Sequence, residues 1–341
     1  MTAVIRAIEY YLPDEVVDNQ TLVTQFPEWS IDKIEGKTGI RARHVAGETE
    51  CSSDLGVRAA QKLFSGNACR REEIDFLLLC TQSPDYFLPT TACIMQDRLG
   101  IPKSAGALDF NLGCSGFVYG LGLAKGLIET GQARKVLLIT AETYSKFLHP
   151  ADKSVRTLFG DGAAATLLEA VDNGDANLIG PFVYGTDGSR AGQLMVPAGG
   201  MRKRAAEPDE IAKVDEFGNV HSSKHLQMDG PELVRFALEA VPRCVRELLA
   251  RSGKRQEEID RFVLHQANQY MLDCLRKKLA IPPEKFLVHL ETCGNTVSST
   301  IPIALKEAVA SGALKPGQLV MLVGFGVGLS WVATLIRWQA D

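Results

Sequence analysis

Two stretches of the chain repeat each other, and this repetition limits the possible folds more than any other feature. Residues 72–82 begin Glu-Glu-Ile-Asp and continue into a short apolar run, and residues 257–267 do the same at an offset of 185. Three further pairs follow at offsets of 180 or 181: Leu-x-Ile-Pro at 99–102 and 279–282, Gly-Cys at 113–114 against Gly-Asn at 294–295, and Gly131 against Gly312. Because nearly the same offset holds over some 60 residues, the pattern favours an internal duplication, although any α/β protein has some self-similarity.

Each repeated unit alternates short apolar strands with helical stretches. This alternation predicts α/β layers around a mostly buried and largely parallel sheet. The expected halves are residues 1–170 and 171–341. Residues 201–225 are rich in charge and have no apolar periodicity, so we expect a surface excursion there.

Charge and cysteine usage exclude several classes of protein. The net charge is −4, from 37 basic and 41 acidic residues, and it leaves no basic excess for general nucleic-acid binding. The first residues do not resemble a signal peptide, and no run approaches the ~18 apolar residues of a membrane span. The eight cysteines lack Cys-x-x-Cys spacing, so we expect free thiols, no metal site and a cytoplasmic location.

The chemistry is expected where the two copies differ. Cys114 lies opposite Asn295, and Cys80 lies opposite His265. Because Cys114 is set among small residues at a predicted strand-to-helix junction, the helix N-terminus is expected to lower its thiol pKa and favour the nucleophilic thiolate. The other seven cysteines are interpreted as small apolar side chains.

Two further sequence features point to the same site. His265 follows the apolar run 262–264, which predicts a ring at the end of a strand and directed into a pocket. The glycines at 324, 326 and 328 do not complete a dinucleotide fingerprint, because position 329 is Leu and only 13 residues follow Gly328. These glycines more naturally allow the backbone to approach a ligand closely, with its amides directed at an oxyanion.

Five motifs together resemble the β-ketoacyl-acyl-carrier-protein synthase III family of the thiolase superfamily. They occupy residues 108–117, 159–164, 265–268, 294–296 and 324–331, in the order found in the family. The resemblance implies a duplicated five-layered α/β/α/β/α fold and a homodimer. It also implies a catalytic triad of Cys114, His265 and Asn295.

The resemblance further implies a reaction in two steps. An acyl-CoA or acyl-carrier-protein thioester would load Cys114, with the amides of Cys114 and Gly326 as the oxyanion hole. A malonyl group on acyl carrier protein would then lose CO₂ and condense with the acyl-enzyme, assisted by His265 and Asn295, without a metal or redox cofactor. Phe87 would close the acyl pocket of the partner subunit.

The donor site is where the chain departs from the family pattern. The resemblance places Lys37, Lys153 and Asn268 at donor-binding positions. However, Lys33 occupies the position of an aromatic platform for adenine, and Trp29 lies further back in the sequence. Tyr270 also replaces a residue that is often Arg, so we expect weaker recognition by the usual contacts and consider a specialised pathway.

Two other functions remain open at this point. An acyltransferase of the same fold would pass the acyl group from Cys114 to an amine or hydroxyl. An inactive partner subunit would serve only as a scaffold. The pair His265 and Asn295 favours condensation over simple transfer, and the retained Cys114 argues against a scaffold.

Overall fold

The fold is built from two five-stranded sheets that repeat one plan. A computed structural model of the chain describes residues 1–172, 178–207 and 210–340. The first part of the chain forms strands β1 (Thr2–Tyr11), β2 (Glu15–Asp18), β3 (Ala42–Val45), β4 (Phe76–Cys80), β5 (Gly106–Phe110), β6 (Lys135–Glu142) and β7 (Gly162–Val171). The remainder forms β8 (Ile179–Thr186), β9 (Leu194–Met195), β10 (Lys213–Val214), β11 (Val220–His221), β12 (Gln227–Met228), β13 (Arg261–Leu264), β14 (Phe286–Leu287), β15 (Leu319–Gly326) and β16 (Ser330–Arg337).

Nine α-helices lie in the described residues. They are α1 (Asn19–Gln25), α2 (Ile31–Thr38), α3 (Ser52–Ser65), α4 (Thr91–Leu99), α5 (Gly116–Glu129), α6 (Lys153–Arg156), α7 (Gly230–Ser252), α8 (Gln269–Lys278) and α9 (Thr300–Ala310). None of these is both long and apolar enough to cross a bilayer.

The strand orders of the two main sheets match position by position. The first sheet is β1-β7-β6-β4-β5, and the second is β8-β16-β15-β13-β14 when read from the corresponding edge. In each sheet two strand pairs are parallel and two are antiparallel. Four strands of each of these sheets run in one direction, and β7 and β16 run against them, so the expectation of largely parallel sheets is confirmed.

Five layers follow from how the helices pack on these sheets. Helices α3 and α4 cover the outer face of the first sheet, α5 and α9 lie between the sheets, and α7 and α8 cover the second sheet. The central helices are apolar on more than one side because both faces are buried, as with Phe117 and Leu121 of α5. Small residues allow this packing: a Cβ at Gly120 would lie 2.6 Å from Leu138.

The charged excursion at 201–225 lies largely on the surface, as expected, except that residues 208 and 209 fall outside the described part. Its hairpin of β10 and β11 exposes Val214 and Phe217. The turn of the hairpin approaches Lys153, since a Cβ at Gly218 would lie 3.4 Å from the lysine nitrogen. The excursion therefore forms one wall of a surface cleft.

Candidate active site

The three predicted triad residues line one cavity of about 190 Å³. Cys114 lies just before α5, His265 just after β13, and Asn295 just before the short 3₁₀ turn Val297–Ser299 that leads into α9. Equivalent ends of the two repeated units thus meet at the cavity. The structure brings Gly326 to the same place, at the end of β15.

The Cys114 thiol is a neutral group in this setting. Its residue is only 5% exposed, and burial raises the thiol pKa to about 12, although a hydrogen bond from the Val327 backbone opposes the shift. The expectation that the helix N-terminus would lower the thiol pKa was wrong. Loss of hydration in an apolar cavity outweighs the helix dipole, and within the described residues no cation contributes to the thiol pKa. A base must therefore remove the proton before the sulfur can attack.

The end of β15 packs directly on the nucleophile. A Cβ at Gly326 would lie 2.7 Å from both Cβ and Sγ of Cys114, and one at Gly324 would lie 2.7 Å from Cα of Ser115. Only glycine permits this approach at the two positions. The approach brings the Val327 backbone amide to the Cys114 sulfur, one residue beyond the predicted oxyanion donor Gly326.

His265 is buried, neutral and held through one ring nitrogen. The residue is 2% exposed, and burial lowers the imidazole pKa to about 3. Its backbone N–H donates to the carbonyl of Val323 at 2.8 Å, and Nδ1 lies 2.8 Å from Oγ1 of Thr300. Because Nδ1 is engaged, Nε2 is the ring nitrogen that remains for chemistry in the cavity.

The amide of Asn295 is oriented by its own turn. Its Oδ1 accepts a hydrogen bond from the backbone N–H of Val297 at 2.9 Å, which leaves the Nδ2 hydrogens as donors. The backbone of Asn295 is also fixed, since its N–H donates to Leu158 and its carbonyl accepts from Gly160. The 159–164 motif therefore supports the loop that carries Asn295.

Apolar side chains form most of the remaining cavity wall. Those that project into it are Leu158, Phe159, Leu194, Met228, Leu233, Val234, Phe236, Met271 and Phe325. Met228 and Gly230 also line a much larger surface cleft of about 1540 Å³. The cavity is thus the narrow apolar end of an open cleft.

In the described part of the chain, the cleft is lined by the ring of Trp29, five lysines and five carboxylates. Lys33 and Lys37 lie over the ring of Trp29, with ammonium-to-centroid distances of 4.8 and 5.4 Å. The turn of chain before α2 thus brings Trp29 into the cleft beside both lysines, although Trp29 lies further back in the sequence than the family pattern. Lys213 of the hairpin lines the same cleft.

Lys153 differs from the other cleft lysines. Its side chain is almost fully buried and forms an ion pair with Glu28, so its charge is already balanced within the chain. Among the described residues, neither Lys33 nor Lys37 has a carboxylate at ion-pair distance. Lys33 and Lys37 of α2 therefore contribute unpaired positive charge to the cleft.

Comparison with known proteins agrees with this architecture. A family model described as 3-oxoacyl-[acyl-carrier-protein (ACP)] synthase III matches residues 108–188, and one described as its C terminal part matches residues 249–338. A β-ketoacyl-[acyl-carrier-protein] synthase III of Caldanaerobacter subterraneus is 36% identical over 332 residues, 96% of each chain. The chain belongs to the β-ketoacyl-acyl-carrier-protein synthase III family.

Solved structures of this family confirm the duplicated, five-layered thiolase-like fold. One 3-oxoacyl-(acyl-carrier-protein) synthase III is 54% identical, with a TM-score of 0.97 and coverage of 99% of this chain and 100% of the other. A 3-oxoacyl-(acyl-carrier protein) synthase from Burkholderia xenovorans LB400 is 34% identical, with a TM-score of 0.91 and coverage of 99% and 95%.

The remaining predicted site residues lie in different places. Asn268 lines the cavity and caps α8 through a 2.9 Å bond from the Met271 N–H to its Oδ1. Tyr270 is exposed on the same helix. Phe87 is 80% exposed beside Tyr86 and Leu88, and it does not line the cavity of its own chain.

Sequence reasoning missed Thr300 and Val297, which hold the polar triad members. The available signal was the run Thr-Val-Ser-Ser-Thr at 296–300, where hydroxyl residues come directly before a buried apolar helix. Sequence reasoning also missed the apolar wall that Leu194, Met228 and Leu233 form, because these residues come from segments with no family motif.

Proposed function

We propose that the chain is a condensing enzyme in which Cys114 accepts an acyl group from a thioester and the acyl-enzyme then reacts with a decarboxylated malonyl thioester. One observation carries the proposal. A thiol, a neutral imidazole and a free carboxamide donor meet at the apolar end of a cleft that is lined by charged side chains.

Acyl loading needs a base, because the pKa of the Cys114 thiol is about 12. Nε2 of His265 takes the thiol proton as the sulfur attacks the acyl carbonyl. The backbone amides of Cys114 and of the 326–327 turn stabilise the oxyanion of the tetrahedral intermediate. The carrier leaves as a thiolate and receives the proton back from Nε2.

Condensation is assisted by His265 and by the amide donor of Asn295, which line the same cavity. Nδ2 of Asn295 donates to the thioester carbonyl of the malonyl group, where negative charge develops as CO₂ leaves. The apolar walls favour this loss, since they solvate neutral CO₂ better than the malonyl carboxylate. The enolate carbon then attacks the acyl group on Cys114, forming the β-ketoacyl product and releasing the sulfur, which takes up one proton.

The shape of the cleft supports a donor with a charged head and a narrow arm. Lys33 and Lys37 on α2 provide positive charge beside the Trp29 ring, and Asn268 lies at the inner end. Both acyl-CoA and an acyl group on acyl carrier protein have a phosphate-bearing pantetheine arm that fits this description. Lys153 contributes less to donor binding than its position in the sequence suggested, because Glu28 already balances its charge.

A homodimer in the cytoplasm completes the proposal. The exposed apolar triplet Tyr86, Phe87 and Leu88 supports a subunit contact, with Phe87 closing the acyl pocket of the partner. All eight cysteines are free in the structure, which is consistent with a reducing compartment.

The test is intact mass of the protein after exposure to a panel of acyl-CoA thioesters, followed by malonyl-acyl carrier protein. Cys114 should gain one acyl group and lose it on addition of the malonyl donor, with a β-ketoacyl product. Cys114→Ala should gain none, whereas Cys93→Ala, which removes an exposed thiol, should behave as the wild type. An acyl-enzyme discharged only by amines or alcohols would instead establish the acyltransferase alternative.

A further inference from the structure

Two turns carry the triad residues Cys114 and Asn295, and a strand of the opposite repeat supports each of them. The Cys114 turn (residues 113–115) packs against Gly326, the last residue of β15. The Asn295 turn (residues 295–299) contacts Glu142, the last residue of β6, through the hydroxyl of Ser298. Strands β6 and β15 hold the same place in their sheets, so the two contacts are equivalent in the duplicated fold.

Glu142 connects both turns through its two carboxyl oxygens. Oε1 lies 2.7 Å from the Ser298 hydroxyl, three residues after Asn295. Oε2 accepts a hydrogen bond of 3.0 Å from the backbone N–H of Gln82. The carboxamide of Gln82 in turn packs on Gly113, where a Cβ would clash with its oxygen. One side chain therefore links the residue before the nucleophile with the turn that carries the amide donor.

Two hydroxyl contacts strengthen the junction between β6 and the Asn295 turn. Oγ1 of Thr140 lies 2.8 Å from Oγ of Ser299, and the Ser299 hydroxyl is also 3.1 Å from the Thr140 carbonyl oxygen. Ser83 lies 3.2 Å from Oε2 of Glu142. All of these side chains are buried, so loss of one partner would leave a polar group without water.

The carboxyl group of Glu142 is a neutral acid at pH 7. Its residue is 0% exposed, and burial raises its pKa to about 8. The titratable side chains that interact with it electrostatically are Asp161, Cys80, Cys114 and Tyr144. None of these four side chains can carry positive charge. A neutral acid can accept from Gln82 and still donate its own proton to a hydroxyl.

We propose that Glu142 is a positioning residue that holds the Cys114 and Asn295 turns at a fixed separation, and that it does so only as a neutral acid. The inference rests on the proposed function, in which both turns act on one substrate. Glu142 takes no part in bond making or breaking.

The charge of an ionised Glu142 would oppose each chemical step. Loading develops negative charge on the Cys114 sulfur and then on the acyl oxygen, and decarboxylation develops it on the malonyl thioester oxygen. A second negative charge in the same apolar interior raises the free energy of these transition states. Negative charge on Glu142 accordingly raises the pKa of the Cys114 thiol.

The test measures both half-reactions of Glu142→Gln between pH 6 and 9. The amide keeps an acceptor for Gln82 and a donor for Ser298, but it cannot ionise. At pH 7, loading of Cys114 and malonyl decarboxylation should stay within about threefold of the wild type. At pH 9 the wild type should be about tenfold slower than at pH 7, because Glu142 is then largely ionised. The variant should show no such decline.

Three further variants separate charge from positioning. Glu142→Leu removes both bonds and should slow both half-reactions at least about tenfold at every pH. Ser298→Ala releases only the Asn295 turn and should slow decarboxylation more than loading. Glu169→Gln alters a carboxylate that pairs with Arg6 on the same sheet, and it should keep the wild-type pH profile.

Two results would overturn the proposal. One is an alkaline decline in Glu142→Gln equal to that of the wild type. The other is wild-type rates of both half-reactions in Ser298→Ala, a small change that tests positioning even where Glu142→Leu does not fold.

Alkylation of Cys114 by iodoacetamide, followed by peptide mass, tests the electrostatic part without an acyl donor. Wild type and Glu142→Gln should react at the same rate at pH 7. Above pH 8 the variant should react faster, by up to about tenfold, since one pKa unit of the thiol corresponds to a factor of ten in thiolate. Equal rates at every pH would contradict the proposal. A wild type that fails to load acyl groups would instead refute the proposed function.

Discussion

At the scale of single residues, Asn295 is the clearest case of a side chain with one hydrogen-bonding group left free for a substrate. Its oxygen is occupied by the Val297 N–H, so only Nδ2 can act on a substrate. In Asn295→Ala, malonyl decarboxylation should fall about 10²–10³-fold, as for loss of other oxyanion donors. Self-acylation of Cys114, followed by intact mass, should continue.

Equal loss of acylation and decarboxylation in that variant would show that Asn295 supports a shared step or the fold. Asn268→Ala is a comparison at the cavity wall, since its side chain caps α8. It should lower stability through the lost cap and leave the ratio of the two half-reactions unchanged.

Glu142, at the end of β6, is a buried carboxyl group that the reaction does not use. It accepts hydrogen bonds from the N–H of Gln82 and the hydroxyls of Ser83 and Ser298, yet burial raises its pKa to about 8. In the unfolded chain the group ionises near pH 4.5. The folded state therefore loses stability as pH rises from about 4.5 to 8, because only the unfolded chain releases the proton there.

Glu142→Gln should remove this contribution. Between pH 5 and 8 its free energy of unfolding should decline less than that of the wild type, by on the order of 4 kcal/mol, since one pKa unit corresponds to about 1.4 kcal/mol. Urea denaturation across this range gives the slopes. Glu15→Gln, at an exposed position, should follow the wild type, and parallel slopes for all three proteins would contradict the assignment.

Which residues meet at the site could be predicted, but not their electrostatics. The repeated units placed Cys114, His265 and Asn295 at equivalent strand and helix ends, which identifies candidates without a structure. The Cys114 pKa was predicted in the wrong direction because local sequence shows the helix N-terminus but not the apolar wall that faces it. The partner Thr300 was missed because its contact with His265 joins residues 35 positions apart.

At the scale of elements, α2 presents unpaired lysines to the cleft, whereas the lysine of α6 is paired with a carboxylate. Lys37→Met should raise the KM for an acyl-CoA about fivefold and weaken its dependence on salt, since an exposed ion pair contributes up to about 1 kcal/mol. Lys153→Met should alter the KM less, because Glu28 already balances that ammonium. Initial rates at several ionic strengths measure both effects. A larger effect on the KM from Lys153 would reverse this assignment.

The reversed direction of β7 and β16 was the element-scale feature that sequence patterns could not supply. The four matching segments correctly indicated paired strands such as β4 with β13 and paired helices such as α5 with α9. Apolar runs in β7 and β16 are equally compatible with either direction, because both faces of these strands are buried. Trp29 likewise could not be placed by counting residues, since the turn that folds it against α2 has no strong sequence signal.

At the scale of the whole molecule, the central core joins the two repeats. Phe117 and Leu121 of α5 share a buried cluster with Ile301 of α9 and with Val320 and Ile336 of the second sheet. We propose residues 1–170 and 171–341 as the two halves of the duplication. Neither half can bury its central helix without the other.

Unfolding should accordingly be a single transition. Helix content by circular dichroism and tryptophan fluorescence should change at the same urea concentration, since Trp29 reports on the first half and Trp331 and Trp338 on the second. For a homodimer the midpoint should rise with protein concentration. Two separated transitions would show that the halves fold independently.

The 324–328 segment lies in close contact with Cys114. Because of this contact, some active-site positions can be substituted during evolution and others cannot. Any side chain larger than hydrogen at Gly326 would displace the nucleophile. Leu194, Met228 and Met271, in contrast, line the cavity from segments outside the 324–328 segment. New substrate ranges, whether selected in nature or in the laboratory, should therefore arise by substitutions in this wall while the glycine turn stays unchanged.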